Sequence, residues 1–211
     1  MIIEQILVTG MVVFCYLIVD ESTKDAVVID PAGDYDLIFK KIDKHKANIR
    51  YIINTHGHYD HTSGNNHMLG KTKAVLLIHK NDSSYLRNIK SEECALFSDE
   101  KKNKDKKVLL LQNNDKIIIG NTELWVIHTP GHSAGSISIY ANDNIFTGDT
   151  LFTEGVGRTD LQDSSTESLI DSIKNKILTL PDDTKIWPGH HYGRKPVSTV
   201  SEQKKYFRIS K

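Results

Sequence analysis

Residues 54–66 read NTHGHYDHTSGNN, and three histidines and one aspartate lie within six consecutive positions of this stretch: His56, His58, Asp60 and His61. The apolar residues at 49–53 predict a buried strand that runs directly into it. If the strand continues, the side chains of His56 and His58 point the same way, because side chains alternate along a strand. The following loop can then bring Asp60 and His61 to a neighbouring position. Imidazole and carboxylate donors in this pattern predict a site for two adjacent metal ions.

One such motif does not complete two metal sites, because zinc takes four or five ligands and a catalytic ion also keeps an open position. Three further candidate donors each follow the end of a predicted strand. They are His132 in HTPGHSAGS, Asp149 in FTGDTLF and His190 in WPGHHYG. A glycine stands directly before each donor, and we expect it to let the backbone turn sharply and point the side chain inward.

The order of the remaining elements predicts how these strand ends meet. Apolar alternation and short apolar runs predict strands at 2–8, 12–19, 26–29, 49–53, 74–78, 116–119, 123–128, 136–141, 144–147 and 185–187. Helical spacing predicts helices at 35–46, 62–69, 82–89, 166–178 and 200–207. The charged segment 91–107 is predicted to be a solvated surface loop, with an active-site lid as the alternative. Strands followed by helices, twice over, indicate two sheets stacked face to face with helices outside.

Composition excludes several classes of protein. The 211 residues contain 27 Lys plus Arg and 27 Asp plus Glu, so the chain lacks the basic excess typical of a nucleic-acid-binding protein. Its apolar start carries Glu4 where a secretion signal carries Lys or Arg, and no apolar run approaches the roughly 18 residues of a membrane span. Cys15 and Cys94 form no CxxC pair. We expect one domain over residues 1–211, in the cytoplasm, with no nucleic-acid or membrane partner.

The motifs THGHYDH, GHS, TGDTLF and PGH together resemble the metallo-beta-lactamase fold superfamily, over residues from about 11 to 207. The resemblance implies a mixed α/β (α+β) fold, a four-layer αβ/βα sandwich with two metal ions at one edge. It also implies the ligand sets. His56, His58 and His132 match the histidines of the first metal, whereas Asp60, His61 and His190 match the ligands of the second. Asp149 matches the carboxylate that bridges them.

Within the superfamily, stretches such as VFCYLIVD, VVIDPAG, TGDTLFTEGVGRTD and PGHHYG are most similar to glyoxalase II and its small single-domain cousins. The resemblance implies that Arg158 and Tyr192 contact the substrate, at positions associated with the glutathione part. Full-length glyoxalase II has a further C-terminal helical domain that completes the glutathione site, and none is expected here. Flavodiiron relatives have a glutamate where this chain has His58, and many beta-lactamases have a cysteine where it has Asp149.

The implied reaction is hydrolysis of a small-molecule thioester or related thiol-derived substrate, of the hydroxyacylglutathione type. Two divalent ions, with zinc expected and iron or manganese also suited, would hold a bridging hydroxide that Asp60 orients. An alternative stays open. Persulfide dioxygenases share the fold but use one iron held by a facial triad, here His56, His132 and Asp149. The segments HTSGNN and GHSAGS favour the hydrolase. The sequence specifies no oligomeric state.

The remaining histidines are assigned supporting parts. We expect His128 to orient a metal ligand through a hydrogen bond, because ligating histidines commonly have such outer partners. His45, His67, His79 and His191 are predicted to be surface or packing residues.

Overall fold

Two β-sheets form the centre of the structure, a computed structural model that describes residues 1–86, 94–98 and 106–209. In that part of the chain the first sheet has seven strands and the second has six. A two-stranded hairpin lies beside them.

The first sheet combines an antiparallel half with a parallel half. Its strands are β1 (Ile2–Val8), β2 (Val13–Val19), β3 (Asp25–Ile29), β4 (Asn48–Ile53), β5 (Val75–His79), β6 (Cys94–Leu96) and β7 (Val108–Leu111). They are arranged in the order β1-β2-β3-β4-β5-β7-β6. The pairs β1–β2 and β2–β3 are antiparallel, whereas the pairs from β3 onward are parallel. Every residue of β2 is buried, as expected for a central strand covered on both faces.

The second sheet is mostly antiparallel. Its strands are β8 (Lys116–Ile119), β9 (Thr122–His128), β10 (Ile137–Ala141), β11 (Asn144–Gly148), β14 (Lys185–Pro188) and β15 (Ser198–Thr199), in the order β15-β14-β11-β10-β9-β8. Only β11 and β14 pair in parallel among the described strands of this sheet, so their carboxyl ends meet at one edge. The separate hairpin consists of β12 (Leu151–Phe152) and β13 (Gly155–Val156).

The helical segments are α1 (Tyr35–His45), α2 (Tyr59–Thr62), α3 (Asn65–Lys71), a 3-10 helix (Lys80–Tyr85), α4 (Thr166–Ser172) with a following π-helical turn (Ile173–Ile177), and α5 (Val200–Ile209). Of these, α1 and α3 pack on the outer face of the first sheet, and α4 and α5 on that of the second. Helix α1 buries Ile38 and Ile42, which lie one turn apart on its inner face. Among the described residues, no helix is both long and apolar enough to cross a membrane.

Three apolar clusters correspond to the three interfaces between layers. The central cluster contains Phe14, Ile29 and Leu77 from the first sheet and Val126 and Phe146 from the second, so it fills the space between the sheets. A second cluster joins the outer face of the first sheet to α1 and α3, and a third joins the second sheet to α4 and α5. The order of layers is helices, sheet, sheet, helices, which confirms the predicted four-layer αβ/βα sandwich.

Several element predictions need correction. The helix predicted at 82–89 is the shorter 3-10 helix Lys80–Tyr85, and residues 87–89 lie outside the described part. The segment predicted as a loop at 91–107 includes strand β6, while residues 91–93 and 99–105 are not described. Strand β7, with the sequence VLLL, was not predicted, because it follows the charged run and is too short to show periodicity. The hairpin β12–β13 and strand β15 were missed because each strand has two residues.

Polar contacts fasten the two sheets at opposite ends. At one end the buried carboxylate of Asp20 accepts hydrogen bonds from the hydroxyl of Ser22, at 2.6 Å, in the turn after β2, and from that of Thr122, at 2.8 Å, at the start of β9 in the other sheet. At the other end the amide of Phe14 donates to the carbonyl of Gly189 at 2.7 Å, and the amide of Ile137 donates to Thr55 at 2.8 Å. The second set holds together the edge where the donor-bearing strand ends converge.

Candidate metal centre

The first group of donors combines the loop after β4 with the loop after β9. One ligand atom from each of His56, His58 and His132 lies within 4.8 Å of the others. Nδ1 of His58 and Nε2 of His132 are 2.9 Å apart. His56 and His58 were predicted to point the same way by continuing the strand, but β4 ends at Ile53. The loop itself therefore brings the two rings to one side.

The second group lies beside the first. It contains Asp60, His61 and His190, again with ligand atoms within 4.8 Å of one another. Asp60 and His61 belong to the single turn of helix α2, and His190 follows β14. Oδ2 of Asp60 lies 3.4 Å from Nε2 of His190.

Asp149 stands between the two groups, directly after β11. Its Oδ1 is 3.3 Å from Nε2 of His61, while its Oδ2 is 3.4 Å from Nε2 of His190 and 3.6 Å from Nε2 of His132. The carboxylate thus reaches donors of both groups. All seven residues predicted as ligands come together at this edge of the sandwich.

A buried carboxylate that was not predicted, Asp30 after β3, fixes the rings of two of these histidines. Its Oδ2 accepts hydrogen bonds from Nδ1 of His61 at 2.9 Å and from the Thr55 hydroxyl at 2.6 Å. The Thr55 oxygen lies 3.1 Å from Nδ1 of His56. Because the threonine hydroxyl already donates to Asp30, it accepts from His56. Both histidines therefore carry the proton on Nδ1 and present Nε2 to the cluster.

Backbone carbonyls fix two more rings in the same way. Nδ1 of His132 donates to the carbonyl of Arg158 at 2.9 Å, and Nδ1 of His190 donates to the carbonyl of Val12 at 3.1 Å. Each ring then presents Nε2 to the cluster. Val12 has φ 56°, an unusual conformation for a β-branched residue, and its carbonyl also accepts from the amide of His191 at 3.2 Å.

The donor atoms fit divalent metal ions. Nε2 of His56 and Oδ1 of Asp149 are buried without a hydrogen-bond partner. Nε2 of His61 faces Oδ1 of Asp149 at 3.3 Å. When the His61 ring is neutral its proton is on Nδ1, which donates to Asp30, so Nε2 turns a lone pair toward the carboxylate oxygen. Lone pairs that face each other in a buried site need a positive charge between them, either a second ring proton or a cation. A set of imidazole and carboxylate donors in this state suits zinc, iron or manganese.

The electrostatics of the site favour the same conclusion. Burial, together with the neighbouring histidines, lowers the pKa of His56 and His58, so both rings are neutral as metal binding requires. Burial also acts to lower the pKa of His190, but its interactions with Asp149 and Asp60 outweigh that effect and raise it to about 9. Burial acts to raise the pKa of Asp149, but His61 and His190 hold it well below its ordinary value. The carboxylates therefore attract positive charge to the second group.

Asp82, in the 3-10 helix, is another residue that sequence reasoning missed. Its Oδ2 accepts from the amide of Gly57 at 2.8 Å and from the Ser133 hydroxyl at 2.7 Å, and its Oδ1 accepts from the amide of Gly135 at 2.6 Å. One buried carboxylate thus joins the loop of His56 and His58 to the loop of His132. Burial raises the pKa of Asp82 despite these hydrogen bonds.

The three glycines that precede ligands have two different roles. Gly131 and Gly148 have positive φ angles of 141° and 49°, as expected for sharp turns. Gly189 has no positive φ angle, and its role is a close approach to a neighbouring residue. A Cβ atom on Gly189 would overlap Oδ1 of Asp149, and glycine is needed at that position for this close approach.

A pocket of about 500 Å³ opens above the cluster, and both predicted substrate-binding residues line it. Tyr192 stacks on His190 with ring centroids 4.5 Å apart. The Arg158 guanidinium forms two hydrogen bonds with Asp160, of 2.6 and 2.7 Å, and both side chains are exposed. Leu161 and Phe152 are among the apolar lining residues.

The histidines outside the two donor groups make packing or surface contacts. Nε2 of His128 donates to the carbonyl of Ala134 at 3.0 Å, in the loop that carries His132, rather than to a candidate ligand itself. Its ring stacks on that of His79 at 4.1 Å. His79 is buried, so of the two predicted roles it has packing. His67 is exposed and stacks on Tyr35.

Comparison with known proteins gives concordant results. The family model described as the metallo-beta-lactamase superfamily matches residues 8–190. The chain is 29% identical over 205 residues to the probable polyketide biosynthesis zinc-dependent hydrolase PksB of Bacillus subtilis (strain 168). The aligned residues cover 96% of this chain and 84% of PksB. The chain is 33% identical over 196 residues to the cytoplasmic isozyme of hydroxyacylglutathione hydrolase from Saccharomyces cerevisiae, covering 87% of this chain and 65% of that enzyme.

A solved structure gives the same picture. The crystal structure of ETHE1 from Myxococcus xanthus superimposes with a TM-score of 0.82 at 29% sequence identity, covering 98% of this chain and 83% of that one.

Proposed function

The chain belongs to the metallo-beta-lactamase superfamily of metallo-hydrolases, and we propose that within it the protein is a thioester hydrolase that uses two divalent metal ions. The observation that carries this proposal is the position of Asp149, whose two oxygens reach histidines of both donor groups at 3.3 to 3.6 Å. A carboxylate shared in this way supports two adjacent ions rather than one. His56, His58 and His132 would hold the first ion, and Asp60, His61 and His190 the second.

Divalent ions of this kind lower the pKa of a coordinated water from about 15.7 to about 7 and polarise carbonyl oxygens. The protein supplies the orientation of the water. The side chain of Asp60, in the lining of the pocket, is 40% exposed. Its pKa lies below the ordinary value, because interactions with His190 and His61 outweigh burial. An ionised Asp60 accepts a hydrogen bond from the attacking water and directs it toward the substrate carbonyl.

The leaving group explains why this pocket suits a thioester. Hydrolysis consumes one water and yields a carboxylic acid and a thiol. Because the pKa of such a thiol is near 8.5, it departs as the thiolate without help from a strong general acid. Apart from the donor groups, the pocket offers Glu154, Arg158 and Tyr192 as polar side chains. Glu154 is paired with Arg194 at 2.7 Å and is therefore not an available proton donor. Arg158 and Tyr192 are proposed to contact the substrate.

The names of relatives support the same reaction class. Hydroxyacylglutathione hydrolases from Saccharomyces cerevisiae and Arabidopsis thaliana are both 32% identical or more to this chain. Both names include the word cytoplasmic, which supports a cytoplasmic location for this protein. This chain spans about two thirds of either enzyme, at 64% and 65%, so the carrier thiol is left open.

The test combines metal content with two assays on the same preparation. We expect two zinc, iron or manganese ions per chain by mass spectrometry, hydrolysis of S-acyl thioesters, and no oxygen uptake with glutathione persulfide. One iron per chain with oxygen uptake would contradict the proposal and support the mononuclear dioxygenase instead.

A variant of the second donor group sharpens the test. His61→Ala removes one ligand of that group, so we expect it to lower both the metal stoichiometry and kcat/KM, the latter by at least about 100-fold. His67→Ala is the matched control, because His67 is exposed and lies outside the cluster. Full hydrolysis by His61→Ala would count against the assignment of the second group.

A further inference from the structure

One wall of the pocket is apolar. Phe152 and Val156 on the hairpin β12–β13 line it together with Leu161. The Phe152 ring meets His190 edge-on with centroids 5.9 Å apart, so the apolar surface begins directly beside the candidate ligands. Val156 is 40% exposed, so its side chain is open to a ligand in the pocket.

Hydrogen bonds hold the hairpin that carries Phe152 and Val156 in place. Leu151 and Phe152 pair with Val156 and Gly155 across the hairpin. The Leu151 carbonyl accepts a hydrogen bond from the Thr147 hydroxyl at 2.7 Å. At the tip of the hairpin, buried Gln203 of helix α5 donates to the Thr153 carbonyl at 2.7 Å. A wall held by two neighbouring elements selects ligands by shape and polarity, because it does not rearrange to fit them.

The charged side chains at the mouth are already neutralised. Arg158 binds Asp160 through two nitrogens, and Glu154 binds Arg194 at 2.7 Å. These two ion pairs, Arg158–Asp160 and Glu154–Arg194, offer both hydrogen-bond donors and acceptors but carry no net charge. Such a surface suits a polar thiol carrier. The part of the substrate beside the candidate ligands would meet Phe152, whose ring lies beside His190, and Val156, which lines the same pocket.

Resting on the proposed thioester hydrolysis, we propose that the protein selects thioesters with an apolar acyl group, which packs against Phe152, Val156 and Leu161. A hydroxyl on the acyl chain gains no partner from these three side chains and loses its hydration there. The selectivity thus resides in the acyl group rather than in the carrier.

The test uses one thiol carrier, glutathione, with acetyl, propionyl, butyryl, hexanoyl and D-lactoyl groups. We expect kcat/KM to rise about two- to fourfold per methylene until the pocket is filled. Propionyl and lactoyl differ only in the hydroxyl, and we expect propionyl to be hydrolysed faster. Dissociation constants of the product carboxylates, measured by calorimetry on the metal-loaded protein, should follow the same order.

Variants assign the effect to the wall. Val156→Thr replaces a methyl group by a hydroxyl of similar size, and we expect it to lower the hexanoyl-to-acetyl ratio of kcat/KM by about two- to fivefold. Ile170→Thr makes the same kind of change at an exposed position of helix α4 outside the pocket, and should keep the wild-type ratio.

The two proposals fail in different ways. A flat chain-length profile, a preference for lactoyl, or a Val156→Thr profile identical to wild type would overturn the acyl selectivity while leaving thioester hydrolysis in place. If no thioester is hydrolysed, the proposed function itself is wrong, and this inference with it.

Discussion

Asp30 and His61 form a buried pair in which Oδ2 of the carboxylate lies 2.9 Å from Nδ1 of the ring. The same oxygen accepts from the Thr55 hydroxyl, through which it also acts on His56. Since His56 belongs to the first donor group and His61 to the second, one carboxylate fixes the orientation of a ring in each.

We therefore predict that Asp30→Asn weakens metal binding in both groups. In the variant an amide NH2 group would replace a carboxylate oxygen that accepts hydrogen bonds, and this group would face other donors. The rings of His56 and His61 would then have to turn or to change tautomer. Loss of such an outer partner typically costs about 10- to 100-fold in metal affinity. Competition with a chromophoric chelator measures it. Asp171→Asn, whose carboxylate accepts from Asn175 on helix α4 and its π-helical extension, is the control and should keep wild-type affinity.

A second prediction concerns the turn before His132. A Cβ atom on Gly131 would overlap the backbone of Leu169 in helix α4, and the φ angle of 141° is strained for any other residue. Gly131→Ala should lower the free energy of unfolding by about 2 kcal/mol or more. Urea denaturation gives the value.

Gly70→Ala is the matched comparison for Gly131→Ala. Gly70 lies in helix α3 with open space where a Cβ would be, so alanine there should stabilise the protein by about 0.5–1 kcal/mol. Equal destabilisation by both variants would show that the close approach of Gly131 to Leu169 is unimportant.

The stacked pair of His79 and His128 predicts a dependence of stability on pH. Burial, aided by the charge of His128, lowers the pKa of His79 from 6.5 to about 4. The unfolded chain then binds the proton more readily than the folded one between pH 6.5 and pH 4. The contribution of His79 to stability is therefore complete above pH 6.5 and is lost as the pH falls toward 4.

His79→Gln removes this titration, so its free energy of unfolding should fall less steeply than that of the wild type between pH 6.5 and pH 4. Both proteins are compared at the same metal loading by denaturant titration at each pH. His67→Gln, an exposed histidine, serves as control. Parallel curves for the wild type and His79→Gln would contradict the prediction.

The left-handed backbone of Val12 predicts a stabilising substitution. A β-branched residue at φ 56° costs about 1–2 kcal/mol, whereas asparagine tolerates this conformation. Val12→Asn keeps the carbonyl that accepts from His190 and should raise the melting temperature by about 2–4 °C. Val12→Ile retains the strain, and no gain is expected from it.

The sequence was sufficient to predict features that depend on local pattern. The histidines and aspartate at 56–61 were identified because metal chemistry needs these residue types at short spacing. The later donors His132, Asp149 and His190 could be identified because each follows a strand end and a glycine. The two stacked sheets with helices outside followed from the order of strands and helices, and the family resemblance supplied the grouping of the donors.

Features that depend on distant contacts were not predicted. Asp82 lies in an ordinary polar segment, and nothing in its neighbourhood indicates that it joins Gly57 to Ser133. The role of Arg158 in orienting His132 uses a backbone carbonyl, which is the same chemical group in every residue. Asp30 was visible as a carboxylate after a strand, but only the fold shows that β3 and β4 are neighbours in the sheet.

The bond from His190 to the Val12 carbonyl joins positions separated by 178 residues. On the ribosome, the first donor group has all its side chains once His132 has emerged. The second must wait for His190, and the turn at Val12 must still be free to meet it. The donor side chains are therefore synthesised in a fixed order, with the three-histidine group first. The second group is completed only when the turn between β1 and β2 meets the end of β14.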